Sequence, residues 1–298
     1  MKTAVILTKR NIKLFFKDKG MFFTSLITPA ILLVLYATFL GRVYESSFSA
    51  GLPEGMEISD NLMNGLVGGQ LISSILAVSC VTVAFCSNFL SVQDKALGTV
   101  RDLKMSPVKP SVLSAAYYFA SLASTLIVCV TAAAVCLVYL GFTGWYLSVA
   151  DVLLLLADVL LLALFGTSLS SIVNFFLSTQ GQISAVGSIV SAGYGFICGA
   201  YMPVSQFSEG LKKAVMFLPG TYGTSLLRNH ALRGALEELD GAGFPSEAVK
   251  AIGDTVDYTL YFFGETVSVP VMYAVLGGAA VLLAGVYLLM NVLKKKTV

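Results

Sequence analysis

The chain has 298 residues, of which 56% are hydrophobic and only 12% charged, with a mean hydropathy of +0.83, whereas soluble domains carry roughly 25% charged residues. A water-soluble fold of this length cannot bury so much apolar surface, and a net charge of +2 is too small to indicate a nucleic-acid partner. The apolar residues fall in runs of about 20 or more, the length that crosses about 30 Å of hydrocarbon at 1.5 Å per residue. The expected class is therefore an all-α polytopic membrane protein.

Residues 3–19 precede the first run. At about 100° per residue, Lys9, Lys13, Lys17 and Arg10 share one arc, and Val5, Ile12, Phe15 and Phe16 fill the adjacent one. This pattern predicts an amphipathic helix on the membrane surface, serving as an anchor to anionic lipid or also touching a cytoplasmic partner. The first run, 21–40, exceeds the apolar core of about 7 to 15 residues found in a cleaved signal peptide. Although Ser47, Phe48, Ser49 and Ala50 have the look of a cleavage site, an uncleaved span is the preferred reading, with a kink at Pro29.

Further runs cover 66–90, 112–140, 149–176, 183–203 and 269–293, which predicts six spans. The segment 204–268 is mixed. Its longest apolar piece, 214–218, is too short to cross a bilayer, so the segment is expected to be exposed, interfacial or re-entrant, an outer cap between spans five and six. The chain reads as one transmembrane domain over 1–298. Its five cysteines, Cys80, Cys86, Cys129, Cys136 and Cys198, all lie in apolar runs and read as small buried hydrophobes.

Six spans put both termini on one side, and basic residues decide which. Thirteen lie on the side of the termini: Lys2, Lys9, Arg10, Lys13, Lys17 and Lys19 before the first span, Lys95, Arg101, Lys104 and Lys109 in the 91–111 loop, and Lys294, Lys295 and Lys296 at the end. Against them stand only Asp18, Asp94 and Asp102, whereas the opposite side carries six basic and twelve acidic residues. Both termini and the 91–111 loop are expected in the cytoplasm, and 41–65 and 204–268 outside, as in a multi-pass protein of the cell membrane.

The 91–111 loop is the most informative stretch. Ser91 and Asp94 have capping-box spacing, and Leu97, Val100 and Leu103 recur at helical spacing until Pro107. The prediction is a short charged helix with one apolar stripe, which either docks into a cleft of another protein or packs under its own bundle.

Asp151 and Asp158 in span four stand seven residues apart and share a face. Asp158 lies about 10 Å deeper, where an aspartate costs roughly 2.5 to 3.5 kcal/mol. It reads as a water-filled path, a protonatable site, or one structural hydrogen bond to a Ser, Thr or Tyr. Gly187, Ser191, Gly195 and Gly199 place a small residue at every fourth position of span five, a stripe that admits close helix approach within the chain, at a dimer seam or along a substrate path.

No Gly-x4-Gly-Lys-Ser/Thr loop occurs, so this chain lacks the usual ATP-phosphate cradle. The pair Gly193 and Gly195 lies mid-span, with Cys198 where a dinucleotide loop needs glycine. His230 is the only histidine, which leaves no set of metal ligands. No catalytic, cofactor or metal residue is expected in this chain, and it is not expected to be an enzyme.

The loop and its flanks resemble the type-2 ABC transporter permeases, the drug- and polysaccharide-exporter class. The resemblance rests on Gln93, Asp94 and Lys95, then Gly98 and Thr99, Leu103, and Ser106 with Pro107. The family usually has a Glu-Arg-Glu type cluster where this chain has Gln-Asp-Lys. A second match follows span five: Tyr201, Met202 and Pro203, then Phe217, Leu218 and Pro219, Thr221 and Tyr222, and Leu227 with Arg228, similar to the family's outer re-entrant hairpin. Pro203, Pro219, Tyr222 and Arg228 mark that motif.

The resemblance implies a permease that pairs with a second copy or a related permease and carries cytoplasmic ABC ATPase subunits. ATP and Mg would be bound by those partners, with Asp94, Leu97, Gly98, Thr99, Val100, Arg101, Leu103, Ser106 and Pro107 coupling to them. Two rival readings are a proton-coupled secondary transporter using Asp158 and a non-transporting membrane scaffold or immunity protein. The first would show two matching halves, and 1–148 and 149–298 show no repeat.

Overall fold

The computed structural model describes residues 2–50, 52, 56–106 and 108–294. Its helices run in chain order as α1 (Lys2–Lys17), α2 (Lys19–Leu35), α3 (Gly41–Ala50), α4 (Asp60–Ala96), α5 (Thr99–Met105), α6 (Pro110–Thr143), α7 (Val149–Phe176), α8 (Gln180–Ile197), α9 (Glu209–Val215), α10 (Pro219–Gly241), α11 (Ser246–Thr255) and α12 (Val269–Lys294). A hairpin of β1 (Leu260–Phe262) and β2 (Glu265–Val267) pairs antiparallel between α11 and α12.

Among the described residues, five helical stretches are long and apolar enough to cross a membrane: Lys19–Ala50, Asp60–Ala96, Pro110–Thr143, Val149–Phe176 and Val269–Leu293. This differs from the six expected. The fifth predicted span is α8, a helix of 18 residues. Two glutamines in its first turn, with serines and glycines beyond them, dilute its apolar content. The first span also runs past residue 40, because a π turn over Tyr36–Leu40 joins α2 to α3. Stacked Tyr36 and Tyr44 rings, with centroids 5.5 Å apart, and buried Phe48 hold the polar-looking extension on the bundle.

The centre of the bundle is α4, which packs on α2, α6, α7, α8 and α10. Its sequence suits that place, because small residues let neighbours come close and its hydroxyls turn inward. Ser73, Ser79, Thr82 and Ser87 donate to carbonyls three or four residues back and so bury no idle donor.

The N-terminal helix α1 and the end of α12 lie at one end of the bundle, here called the terminal end. Arg10 of α1 meets Asp94 at the foot of α4, and Asn291 of α12 meets Ser114 of α6. From the opposite, far end, α10 dips inward. Gly234 abuts the Tyr146 carbonyl between α6 and α7, and Gly223 meets Leu162 of α7 and Leu276 of α12. Leu162 lies about 20 Å along α7 from its first residue at 1.5 Å per residue. Of the mixed segment 204–268, α10 is thus not an exposed element but a buried one between α4, α7 and α12.

Its docking depends on glycine. A Cβ on Gly69 of α4 would stand 2.7 Å from the Ala231 carbonyl oxygen. Gly69→Ala is therefore expected to cost about 1–3 kcal/mol by overpacking, read as a lower melting temperature in detergent. Gly278→Ala, where a Cβ meets nothing within 4 Å, should be neutral or slightly stabilising.

Candidate functional site

At the terminal end, the Gln-Asp-Lys cluster forms a junction. The loop helix does not start at Ser91, because α4 continues to Ala96 and Ser91 Oγ donates to the Asn88 carbonyl at 2.8 Å. The predicted capping box is absent: Ser91 is inside a helix whose apolar run carries straight on. Asp94, buried, accepts from Arg10 Nη1 at 2.8 Å and from Tyr117 Oη of α6 at 2.5 Å. The hydrogen bond to Asp94 raises the Arg10 pKa above its ordinary value, partly opposed by burial. Lys95 Nζ donates to the carbonyls of Asn174, Phe175 and Leu177 at 2.7, 3.1 and 3.0 Å. A cation there caps the negative end of the α7 dipole. Two adjacent side chains thus tie the foot of α4 to α1, α6 and α7.

Gly98 then turns the chain with φ 81°, a left-handed conformation natural to glycine, and caps the seven-residue α5. This turn breaks the helical phase that the stripe assumed. Val100 and Leu103 pack under the bundle against Leu7, Leu90, Leu113, Ala116 and Tyr117. Leu97, which caps the end of α4, and Met105, the last residue of α5, are each 74% exposed. Thr99 sits in the first turn, Arg101 is exposed, and Ser106 Oγ closes onto the Leu103 carbonyl at 2.6 Å. Pro107 lies outside the described residues.

The surface helix packs differently from its predicted face. Leu7, Asn11 and Phe15 are its buried residues, and α6 is its main neighbour. Val5, Ile6 and Phe16 are exposed beside Lys2, Lys9, Lys13 and Lys17. The apolar content of α1 serves two surfaces, which a single predicted arc did not separate.

At the far end, three polar links fix α10. Arg228 Nη1 pairs with Asp257 Oδ2 at 3.0 Å and Nη2 donates to the Gly199 carbonyl at 2.5 Å. Asp257 also accepts the amides of Val204 and Ser205 at 2.5 and 2.8 Å. His230 Nδ1 lies 2.5 Å from Asp158 Oδ2, and Tyr273 Oη of α12 donates to Asp158 Oδ1 at 2.5 Å. Arg233 Nη2 meets Asp151 Oδ1 at 2.6 Å, and the other Asp151 oxygen accepts the Ser148 amide at 2.9 Å in the capping box of α7.

Both Asp158 oxygens therefore bond to α10 and α12, away from the α8 stripe. Gly187 contacts Phe89 of α4, and Gly195 lies so close to the Tyr201 ring that a Cβ would meet it. Ser191 is half-buried, and Gly199 lies past the helix at φ 77°. The stripe is thus not four continuous helical positions. Pro203 precedes a 3-10 turn at Val204–Gln206, Pro219 opens α10, and Tyr222 Oη donates to the Met216 carbonyl at 2.7 Å.

Sequence reasoning missed Arg10, His230, Arg233 and Asp257. The available signal was three basic residues at 228, 230 and 233 in a segment too weakly apolar to span, set against Asp151 and Asp158 in a strongly apolar one.

A search of curated proteins finds no match. The family model described as ABC-2 type transporter matches residues 3–231, a stretch that runs from α1 through the loop cluster to the His230 link in α10. Multi-pass, almost wholly helical, and matched over most of its length, the chain belongs to the ABC-2 type transporter family as a membrane permease.

Proposed function

We propose that this chain is the membrane-spanning subunit of an ATP-binding-cassette exporter, moving cargo outward with ATP hydrolysed on Mg by a separate ABC ATPase subunit. The observation that carries this is the junction at the terminal end. Exposed Leu97 and Met105 flank a short helix whose base is tied through Asp94 and Lys95 to α1, α6 and α7. A push on that loop is delivered to several helices at once, which is what a membrane subunit needs if its energy arrives from outside the bilayer.

In this reading the chain works as a dimer with a second copy or a related permease. It sits in the cell membrane with both termini cytoplasmic. Here α8 is a fifth crossing and α12 the sixth, while α9 and α10 form a re-entrant segment fixed by the three far-end links. The positive residues around α1 and the loop support the orientation. A cysteine at Met105 is expected to react with an impermeant reagent only from the cytoplasmic side, and one at Glu247 only from outside. Reaction of both from one face would exclude this topology.

Asp158 separates the ATP-driven reading from a proton-coupled one. Asp158→Asn keeps an oxygen for Tyr273 and an amide for His230, so transport in proteoliposomes is expected to persist, to follow ATP and to ignore an imposed proton gradient. Loss of transport in a folded variant would favour the proton-coupled carrier.

A further inference from the structure

A cavity of about 480 Å³ opens at the terminal end between α4, α6, α7 and α12, with Val100 and Val108 of the loop forming one wall. It is lined by the amides Asn88, Asn174 and Asn291 and by hydroxyls that include Ser91, Ser114 and Tyr287. Most of these groups hold the walls together. Asn88 Nδ2 donates to Ser171 Oγ at 2.8 Å, Ser114 Oγ donates to Asn291 Oδ1 at 2.6 Å, and Asn291 Nδ2 donates to the Tyr287 carbonyl at 2.8 Å. The rings of Tyr118 and Tyr287 stack beside them, centroids 5.9 Å apart.

Asn174 differs. It is 1% exposed, it lines the cavity, and neither its amide nitrogen nor its amide oxygen has a partner among the described residues. Buried polar groups are overwhelmingly hydrogen-bonded, so a donor and an acceptor left together in a cavity wall mark a place for a ligand offering both.

The lining also limits the ligand's charge. Among the described residues no carboxylate lines the cavity, so nothing described there selects a cation. Lys95, the one cation among the described lining residues, is directed at the carbonyl end of α7, so its charge already answers the helix dipole. Leu113, Val108 and Phe175 add apolar surface to the lining. Paired donors and acceptors in a lining that is otherwise partly apolar suit a group with adjacent hydroxyls on a carbon frame.

We propose that this cavity binds an uncharged polyhydroxyl group of sugar type, either as the head of a membrane lipid or as a free solute. Because Val100 and Val108 form its wall, occupancy bears directly on the loop that carries α5. The site stands on this geometry alone and does not depend on an ATPase partner.

The test uses the full chain in phosphatidylcholine nanodiscs. Three probes are compared: monoglucosyl diacylglycerol, methyl β-glucoside and, as a charged lipid without head hydroxyls, phosphatidic acid. Retained probe is counted by native mass spectrometry and by competition. One monoglucosyl diacylglycerol per chain is expected, retained saturably over phosphatidic acid. Asn174→Leu should weaken retention about tenfold, the effect of losing two modest hydrogen bonds, without lowering the melting temperature of the probe-free protein. Val108→Trp, which fills the cavity from the loop wall, should do the same and covers the case in which Asn174→Leu does not fold.

Displacement by methyl β-glucoside would identify a free sugar as sufficient, and failure to displace would identify the lipid form; either supports the site. Retention of neither glucosyl probe, equal retention of phosphatidic acid, or retention unchanged in the folded variants would overturn it.

Discussion

Asp257→Ala is expected to be among the most damaging single substitutions in the chain, costing about 3–5 kcal/mol because it leaves a buried charge without its partner. Arg228 is 1% exposed, so its guanidinium cannot turn to water. The same change strips the acceptor from the amides of Val204 and Ser205. It also puts alanine at φ 55°, a left-handed conformation that Asp and Asn tolerate better. The double variant Arg228→Met with Asp257→Asn keeps an oxygen for one amide, suits that backbone and buries no charge. It should therefore unfold at a higher temperature than Asp257→Ala alone. If Asp257→Ala melts like the wild type, the Arg228 link is not what secures α10.

The second large effect is expected around α5. Replacing both Leu97 and Met105 by Asp puts two charges on side chains that touch almost nothing in the isolated chain, so the melting temperature should stay unchanged. If those side chains fill an ATPase cleft, each buried unpaired charge costs several kcal/mol. At about 1.4 kcal/mol per factor of ten, the complex should weaken by at least roughly a hundredfold. Val100→Asp with Leu103→Asp should behave the opposite way as its first effect, lowering thermal stability because both pack against Leu7, Leu113 and Tyr117. The contrast between the two pairs separates docking from packing at residues only a few positions apart.

The fold was legible where burial is continuous along the chain. The apolar runs of α4, α6, α7 and α12 identify themselves because every backbone polar group in hydrocarbon must be satisfied within its own helix. Legibility failed where partners are distant in sequence. The polar residues of α10 left it within a mixed segment that could be exposed, interfacial or re-entrant, yet Arg228 meets Asp257, His230 meets Asp158 and Arg233 meets Asp151. At α8 the apolar run read over 183–203 became a helix of 18 residues, Gln180–Ile197, whose glutamines, serines and glycines leave it outside the five strongly apolar helices among the described residues.

The loop cluster shows a third case. The types at positions 93 to 106 were informative, but the phase was not. A left-handed glycine at 98 turns α5 away from the α4 register, so Leu97 separates from Val100 and Leu103. On α1, one set of apolar residues is divided between the contact with α6 and the exposed face, a division that depends on where the neighbouring helix lies.

The central claim, that this permease takes its energy through the 91–111 loop from a separate ATPase, is tested most directly by the ATP hydrolysis that stays with the purified chain in lipid. The tagged wild-type protein, extracted mildly, should retain a distinct ATPase subunit and Mg-dependent hydrolysis. The Leu97→Asp, Met105→Asp variant should lose both while melting at the same temperature. Wild-type protein that drives transport with no retained ATPase, or a variant that keeps its full ATPase complement, would contradict the account.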